Sequence, residues 1–313
     1  MILLATNKRD ITTDFVVLEL QRRNIPFVRL NTEDMAACRV TLSPATGGWS
    51  VVVGDVEVDL SIVTGAYYRR PAAPEVDDDP EDPTVRPYRI AEWSAVLRSI
   101  WNELEGRWLN SPFAILRAED KPRQLKLAAA VGFRIPETIV TNDPEAAVAF
   151  SRQAQCIVKP LKHALLEDDG PGRVIFTNRM GPLADEDADA VRLAPFIMQR
   201  EVRKAHDVRV IVVGDRVFAT AIHSQGNVDT EVDWRRGSDP TLPHEPIELD
   251  ETIQERCLAI TRELGLRFGA IDLVTDVDGE SWFLEINPNG QWAWIENRTG
   301  ARIAEAIVDD LCR

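Results

Sequence analysis

The sequence predicts an α/β (α+β) protein, and three features of the 313-residue chain carry that prediction. Short apolar runs typical of buried strands precede segments with helical periodicity, first at residues 2–5 and 15–20. Other segments alternate apolar and polar residues with period two between Gly-containing turns. Strands and helices must bury their apolar faces against one another, which builds layered units. We predict an N-terminal α/β domain (residues 1–115), a central α+β unit (116–195) and a C-terminal α+β unit (196–313).

The N-terminal unit follows from alternating strands and turns. Gly47-Gly48 and Gly54-Asp55 divide a period-two region into separate strands, and the first helix is centred on residues 15–20. The predicted strands are residues 2–5, 27–30, 40–42, 49–53, 56–58 and 62–68. Residues 71–87 are rich in Pro, Asp and Glu and predict an exposed loop. A Trp- and Leu-rich helix at residues 90–105 ends near Gly106.

The central unit begins with a helix at Asp120-Lys121-Pro122, because Asp is a common N-cap and Pro suits the first helical turn. Gly132 ends that helix. A strand after Thr138, a helix at 144–153, a strand at 156–159, a loop at 167–172 and a strand at 173–177 follow in order.

The C-terminal unit contains predicted strands at residues 196–202, 207–213 and 216–222, the last two joined by a Gly214-Asp215 turn. Residues 224–245 are polar and without periodicity, and a loop of this length inside a domain is often an active-site lid. A helix within residues 247–265, an acidic hairpin and a terminal helix at 301–311 complete the chain.

The composition of the chain argues against two classes of binding partner. The chain carries 51 acidic and 36 basic residues, a net charge of −15, which argues against nucleic-acid binding and against docking on an anionic membrane. The basic clusters Arg69-Arg70 and 200–204 could still line a cleft for phosphates. The four cysteines have no metal or redox spacing, and the sequence has neither a signal peptide nor a membrane-length apolar run. We expect a soluble cytoplasmic protein.

The acidic hairpin predicts a magnesium site. If Asp278-Gly279 closes a two-residue turn, residue 277 faces 280 and Asp272 faces Glu285, while Asn287 leaves the same strand face as Glu285. Two carboxylates about 4 Å apart repel by roughly 4 kcal/mol at an effective dielectric near 20. A favourable cross-strand side-chain pair stabilises a sheet by only about 0.2–1 kcal/mol, so packing alone poorly explains why two carboxylates would face each other. Mg²⁺ binds such carboxylates together with substrate phosphates, and the alternative is a solvated acidic hairpin.

Several polar residues upstream could hold a nucleotide. Lys121 opens a helix and Lys159 ends a strand beside a Gly-containing loop, positions from which a lysine can bind phosphate. Gln199 lies where the central and last units join, a connection at which backbone groups can bind adenine. Glu201 or Asp207 could accept hydrogen bonds from ribose hydroxyls.

Two arginines complete the predicted chemistry. Arg209 shares a strand face with Asp207 and would direct its planar guanidinium at phosphate, unless the two form a surface ion pair. Arg235 lies in the long polar stretch and suits stabilisation of a transferring phosphoryl or acyl-phosphate group.

Together these residues resemble the ATP-grasp ligase superfamily. The order Lys159, Gln199-Arg-Glu201, Asp207-Val-Arg209, Asp272, Glu285 and Asn287 is similar to its general pattern, which the ribosomal-protein glutamate ligases share. The segment Glu285-Ile-Asn-Pro-Asn-Gly-Gln-Trp-Ala-Trp-Ile-Glu296 and Asp233-Trp-Arg235 resemble the graspetide synthetases, the microviridin-type macrocyclases of ribosomally made peptides (RiPPs). The likeness covers nearly the whole chain and implies a pre-ATP-grasp N-terminal domain followed by two ATP-grasp subdomains.

The resemblance implies ATP and Mg²⁺ as cofactors and a precursor peptide, leader plus core, as partner. An Asp or Glu side chain of the peptide would become an acyl phosphate, which a Ser or Thr hydroxyl or a Lys amine then displaces to form an ester or amide. Asp272, Glu285 and Asn287 would hold metal, Lys121 and Lys159 would position phosphates, and Arg209 and Arg235 would stabilise the acyl phosphate. Since such enzymes are often dimers, a homodimer is an open alternative.

Relatives of this kind recognise the leader near the strand and helix that span residues 174–193 here. The resemblance therefore implies that acids in this region pair with a basic leader residue, unless they form only a solvated acidic helix. These acids are Asp185, Glu186, Asp187 and Asp189.

Two other functions compete with this hypothesis. A ligase that adds free amino acids such as glutamate to a protein or small molecule would share the ATP and metal site. A non-catalytic nucleotide-binding protein would need fewer of these charged residues than the chain retains. The sequence does not determine the precursor, the ring topology or the choice between ester and amide.

Overall fold

The computed structural model describes the backbone of residues 1–80, 82–162, 165–166, 173–226, 230–236 and 242–313. The N-terminal part contains a parallel sheet in the order β2-β1-β6 and an antiparallel sheet in the order β3-β4-β5. Its elements are β1 (Ile2–Thr6), α1 (Ile11–Arg22), β2 (Phe27–Asn31), β3 (Arg39–Ser43), β4 (Gly48–Val53), β5 (Val56–Asp59), β6 (Gly65–Tyr68), α2 (Val85–Glu103) and α3 (Pro112–Ala118). Both sheets follow the predicted strand pattern.

Two differences from the prediction concern helices. Helix α2 begins at Val85, inside the segment predicted as a loop, because the first turn of a helix tolerates Pro87 and its missing N–H. Helix α3 was not predicted. Ser111 caps it by accepting a hydrogen bond from the Phe113 N–H (3.2 Å), and Pro112 occupies its first position.

The central part is built on an antiparallel four-stranded sheet in the order β11-β8-β12-β7. Its elements are α4 (Lys121–Ala130), β7 (Thr138–Thr141), α5 (Pro144–Ser151), β8 (Cys156–Lys159), β9 (Leu165–Leu166), β10 (Arg173–Val174), β11 (Asn178–Met180), α6 (Ala188–Arg192) and β12 (Phe196–Arg200). The predicted 173–177 strand is shorter, since β10 ends at Val174. The predicted loop at 167–172 lies outside the described residues. Because β12 pairs with β7 and β8, we propose that this unit extends to Arg200 and not to residue 195.

The C-terminal part is an antiparallel five-stranded sheet in the order β15-β14-β13-β16-β17. Its elements are β13 (Lys204–Val213), β14 (Arg216–Ile222), β15 (His244–Ile247), α7 (Glu251–Glu263), β16 (Phe268–Asp276), β17 (Ser281–Asn287), α8 (Ala293–Thr299) and α9 (Ile303–Leu311). Strand β15 begins at His244, inside the stretch predicted to be loop up to residue 245, where the polar sequence gave no strand signal. It pairs with β14 through Ile222 and His244.

One core joins the N-terminal and C-terminal sheets. Leu4 of β1, Leu20 of α1, Ile211 of β13 and Ile307 of α9 all belong to this buried apolar cluster, together with the fully buried Trp292. Burying apolar area at about 25 cal/mol per Å² makes such a shared core a strong link between layers. Among the helices that the structure describes, none is long and apolar enough to cross a membrane.

Candidate active site

The β16–β17 hairpin places Asp272 directly opposite Glu285, which confirms the predicted pairing. The predicted turn is wrong. Asp276 donates from its N–H to the Glu280 carbonyl (3.0 Å), so three residues form the loop, and Gly279 has the positive φ (+85°) that this turn requires. This shifts the register by one residue near the turn. A bulge in β17 at Leu284 then restores the predicted register, because Asp272 pairs with Glu285 whereas Leu273 pairs with Phe283.

The two carboxylates are surrounded by cations. Arg209 Nη1 lies 2.7 Å from Asp272 Oδ1. Arg235 Nη1 lies 3.4 Å from Glu285 Oε1, and Lys121 Nζ lies 3.6 Å from Glu285 Oε2. Burial alone would raise the pKa of Glu285, but the surrounding positive charges lower that pKa to about 2. Glu285 is therefore ionised at every physiological pH.

Arg209 is held rigidly at the base of the site. It is buried, and its Nη2 donates to the Gln291 carbonyl (3.3 Å) in addition to the ion pair with Asp272. A Cβ at Gly290 would lie 2.2 Å from the Ala270 Cβ and 3.2 Å from Arg209 Nη2. Only glycine fits between the guanidinium and the strand.

Gln124 of α4 fixes the strand that carries the site. Its side-chain Nε2 donates to the Ile286 carbonyl (2.8 Å), and its Oε1 accepts from the Ile286 N–H (3.0 Å). Ile286 stands between Glu285 and Asn287, so one buried amide sets the position of two predicted metal ligands. Sequence reasoning missed Gln124 because this contact spans 162 residues and leaves no local pattern.

We expect Gln124→Met to raise the Mg²⁺ concentration needed for half-maximal ADP release about tenfold. The thioether leaves the buried Ile286 N–H and carbonyl without partners, at a cost of about 1–3 kcal/mol, and frees the ligand strand to move. Magnesium titrations of the ATPase rate measure this. Gln254→Met is a matched control, because Gln254 also donates from a helix to a backbone carbonyl, that of Leu249. A lowered melting temperature with an unchanged magnesium requirement would reduce Gln124 to a purely structural role.

The first of two adjoining cavities collects the predicted nucleotide residues. It is lined by Lys121, Ile157, Lys159, Pro160, Ile175, Thr177, Gln199, Asp207, Val232, Asp233, Trp234, Arg235, Asp272, Leu284 and Glu285. Burial lowers the pKa of Lys159, partly offset by Glu285. Lys121 donates to the Pro160 carbonyl (3.0 Å). Gln199 Oε1 is buried and accepts no hydrogen bond within the described residues.

The two predicted ribose acceptors already have partners. Asp207 is buried, which raises its pKa, and it accepts hydrogen bonds from Lys204 Nζ at 2.8 and 2.7 Å. Glu201 accepts from Arg179 Nε (2.8 Å) and lines neighbouring cavities instead of the one beside Glu285. Binding of ribose by either carboxylate stays a prediction, and it requires exchange of these partners.

The second cavity lies on the other side of the carboxylates. It is lined by Arg70, Arg209, Trp234, Arg235, Leu242, His244, Asp272, Glu285, Asn287, Gln291, Trp294 and Arg298. Trp234, Arg235, Asp272 and Glu285 also line the first cavity, so they form the boundary between the two. The two cavities therefore share one wall, which carries the two predicted metal carboxylates and the cationic Arg235.

Arg235 is held in that wall by Asp233. Its Nε donates to Asp233 Oδ1 (2.8 Å) and its Nη2 to Asp233 Oδ2 (2.9 Å), a bidentate pair. Asp233 also accepts from the Thr177 N–H (3.2 Å), which ties segment 230–236 to the central unit. Sequence analysis noted the Asp233-Trp-Arg235 motif but did not assign Asp233 a role.

The predicted leader-binding acids line neither of the two cavities that share the boundary wall. They occupy the short 3-10 helix Asp185–Asp187 and helix α6. Asp187 accepts from the Ala184 N–H (2.9 Å) and Asp189 pairs with Arg192 (3.0 Å), while Asp185 lines a groove between α5 and α6. Leader binding by these acids and by Glu186 stays a prediction.

The site fits Mg²⁺ by its donor chemistry. In the described part of the chain, no cluster of three or more His, Cys, Asp and Glu side chains could hold a metal. The candidate set is instead two carboxylates, Asp272 and Glu285, with the amide of Asn287. Mg²⁺ binds one or two carboxylates together with substrate phosphates. Arg209 and Lys121 already pair with these carboxylates, so an entering Mg²⁺ would share the carboxylate oxygens with them.

An antiparallel four-stranded unit and a five-stranded unit, with lysines and two carboxylates lining the cavity between them, form the arrangement of an ATP-grasp ligase. The RimK-like ATP-grasp domain family matches residues 118–311, and the chain belongs to that family. The protein is therefore an enzyme of the ATP-grasp ligase class, whose cofactors are ATP and Mg²⁺.

Solved structures resemble the chain over its whole length. A RiPP-associated ATP-grasp ligase of Chryseobacterium gregarium, in complex with ADP and a leader and core peptide, covers 99% of this chain and 96% of its own, with 27% identity and a TM-score of 0.90. Macrocyclase MdnC of Microcystis aeruginosa MRC, bound with precursor peptide MdnA, covers 99% of both chains, with 27% identity and a TM-score of 0.85. A probable alpha-L-glutamate ligase of Xanthomonas oryzae pv. oryzae is 31% identical over 226 residues, 70% of this chain and 72% of the relative.

Proposed function

We propose that this enzyme is a macrocyclase that joins Asp or Glu side chains of a ribosomally made precursor peptide to Ser or Thr hydroxyls or Lys amines. The observation that carries the proposal is the likeness, over 99% of the chain, to two ligases whose structures contain leader or precursor peptides. The second cavity adds support, because it meets the nucleotide cavity at Asp272 and Glu285 and offers a separate place for a peptide side chain.

In the first step a peptide carboxylate oxygen attacks the γ-phosphorus of ATP. The bond to the bridging oxygen breaks and ADP leaves with the electron pair, which gives an acyl phosphate. Lys121 and Lys159 hold the phosphates, and Asp272, Glu285 and Asn287 would hold Mg²⁺. When bound, Mg²⁺ neutralises charge on the transferring phosphoryl group.

In the second step a hydroxyl or amine of the same peptide attacks the acyl carbon. Phosphate leaves with the C–O electron pair, the nucleophile loses its proton, and a ring closes. Each ring removes one water from the peptide while ATP becomes ADP and phosphate. Arg209 and Arg235 stabilise the negative charge of the acyl phosphate, since Arg235 lies on the wall between the cavities and Arg209 lines the second cavity beside it.

A second candidate is an amino-acid ligase of the glutamate-adding type. The 31% identity to a probable alpha-L-glutamate ligase favours it. It would use the same nucleotide site and the same acyl phosphate chemistry, but its nucleophile would be the amine of a free amino acid. The two candidates therefore differ in the mass of their product.

We expect a short peptide encoded beside this gene to lose whole water molecules when it is co-expressed with the enzyme. Intact-mass spectra with and without the enzyme measure this loss, and Glu285→Gln should abolish it. A mass gain equal to amino-acid residues would favour the amino-acid ligase. Unchanged masses for every neighbouring peptide would contradict the macrocyclase proposal.

A further inference from the structure

Arg70 adopts a backbone conformation that a side chain with a Cβ disfavours. It lies two residues beyond the end of β6 and has φ +45°, in the left-handed region where glycine and asparagine are the usual residues. Strained residues persist where surrounding contacts hold them, and they concentrate at binding sites. An arginine retained at such a position therefore calls for a functional explanation.

Hydrogen bonds of neighbouring residues hold the backbone at Arg70 beside the active site. Asn7 Nδ2 donates to the Arg70 carbonyl at 2.6 Å. The buried Arg69 donates from Nη1 to the carbonyls of Asn289 (2.6 Å) and Gly290 (2.8 Å), in the loop that follows Asn287. Arg69 thus joins the end of β6 to the metal-ligand strand, and the bend carries Arg70 onto the wall of the second cavity.

Among the residues that the structure describes, Arg70 differs from the other arginines of this cavity in having no partner for its guanidinium. Arg209 pairs with Asp272 and Arg235 with Asp233 and Glu285. Arg298 Nη1 donates to the Leu242 carbonyl (3.2 Å). Within the described ranges, the Arg70 guanidinium forms neither a hydrogen bond nor an ion pair. Arg70 is an exposed residue. Partial desolvation and the positive charges of Arg69 and Arg209 lower its pKa, Asp10 opposes that shift, and an anion beside Arg70 would offset the repulsion among these arginines.

We propose that Arg70 binds the substrate carboxylate in the second cavity and orients it toward the phosphoryl group held in the first. This inference rests on the proposed function, since it assigns the residue that receives the acidic side chain of the peptide. A guanidinium presents two parallel N–H donors to a carboxylate, a geometry that fixes orientation as well as position. The γ-phosphate of ATP is the other anion within this site, and the experiment separates the two.

The test uses N-acetyl-glutamyl amide as the probe, titrated into the full-length protein with saturating Mg²⁺ and ADP and followed by calorimetry. N-acetyl-glutaminyl amide is the uncharged control ligand. We expect Arg70→Asn to bind the probe at least tenfold more weakly than wild type, with unchanged affinity for a non-hydrolysable ATP analogue that carries the γ-phosphate. Asparagine tolerates the left-handed conformation, so the melting temperature should be equal or higher. Arg86→Gln is a matched control, since Arg86 is exposed and pairs with Asp78 away from both cavities.

Probe affinity within twofold of wild type in Arg70→Asn would overturn the assignment. Failure of wild type to bind the probe at millimolar concentration, or equal binding of the uncharged ligand, would overturn it as well. A loss of affinity for the non-hydrolysable ATP analogue with unchanged probe affinity would assign Arg70 to the γ-phosphate instead. Probe binding requires no ring closure, so a failure of the macrocyclase proposal in the co-expression experiment leaves this measurement interpretable.

Discussion

Glu285→Gln is expected to lower Mg²⁺-dependent ADP release by about 10²–10³-fold, the usual effect of losing one electrostatic group that acts on a transition state. Glutamine keeps the shape of the side chain but removes the charge on which Arg235 and Lys121 converge. The metal also loses an anionic ligand. Because Glu285 counteracts the burial that lowers the pKa of Lys159, the variant's Lys159 should lose its proton at lower pH. Nucleotide binding should therefore weaken at lower pH than in wild type.

A coupled assay of ADP release and a pH series of nucleotide affinity measure these effects. Glu280→Gln is the matched control, because Glu280 lies on the same hairpin, pairs with Arg134 at 3.2 Å and lines neither cavity. It should retain wild-type activity. If Glu285→Gln kept at least a third of the wild-type rate while remaining folded, the magnesium-site assignment would be wrong.

The pairing of the Asp272 and Glu285 carboxylates was predictable from the sequence, although the two-residue turn on which that prediction rested was wrong. Period-two counting from a two-residue turn places Asp272 opposite Glu285. The chain reaches the same pairing through a three-residue loop and a bulge at Leu284, two shifts that cancel. Residue spacing cannot reveal a bulge, because a bulge changes the pairing partner without changing the residue pattern.

Residues that position the site through side-chain to backbone contacts were not predictable. Asn110 donates to the Phe268 and Pro288 carbonyls (2.8 and 3.0 Å), so it holds the start of β16 and the end of β17 together. Gln124 joins helix α4 to β17 in a similar way, through its hydrogen bonds with the backbone of Ile286. Such contacts depend on tertiary structure alone. The resemblance to a known family therefore predicted which residues react, but not the groups that hold those residues in place.

Electrostatic partners of the predicted nucleotide residues were also missed. Asp207 pairs with Lys204, three residues before it, a spacing that could have been noticed. Glu201 pairs with Arg179, which comes from another strand and lies 22 residues away. A sequence shows which residues carry charge, but the fold decides which of them are already neutralised.

Arg235→Lys is expected to lower turnover of the precursor peptide by about 10²–10³-fold with little change in ATP affinity. Lysine keeps the charge, but a single ammonium cannot contact both carboxylate oxygens of Asp233 and still reach Glu285, as the guanidinium does. The loss should fall on the step in which the acyl phosphate carries negative charge. Peptide turnover and equilibrium ATP binding, measured on the same preparations, separate these effects.

Asp233→Asn tests the same geometry, because it weakens the bidentate pair that orients Arg235 without altering Arg235 itself. If the pair acts as a unit, the double variant should be no slower than Arg235→Lys alone, with a coupling energy of about 0.5–3 kcal/mol. Arg236→Lys is the matched control: the neighbouring arginine packs over Phe176, with its guanidinium 5.6 Å from the ring centroid, and lines neither cavity. Additive losses from Asp233 and Arg235 would mean that the two residues act separately. Equal losses from Arg235→Lys and Arg236→Lys would mean that the effect is not specific to the guanidinium that Asp233 orients.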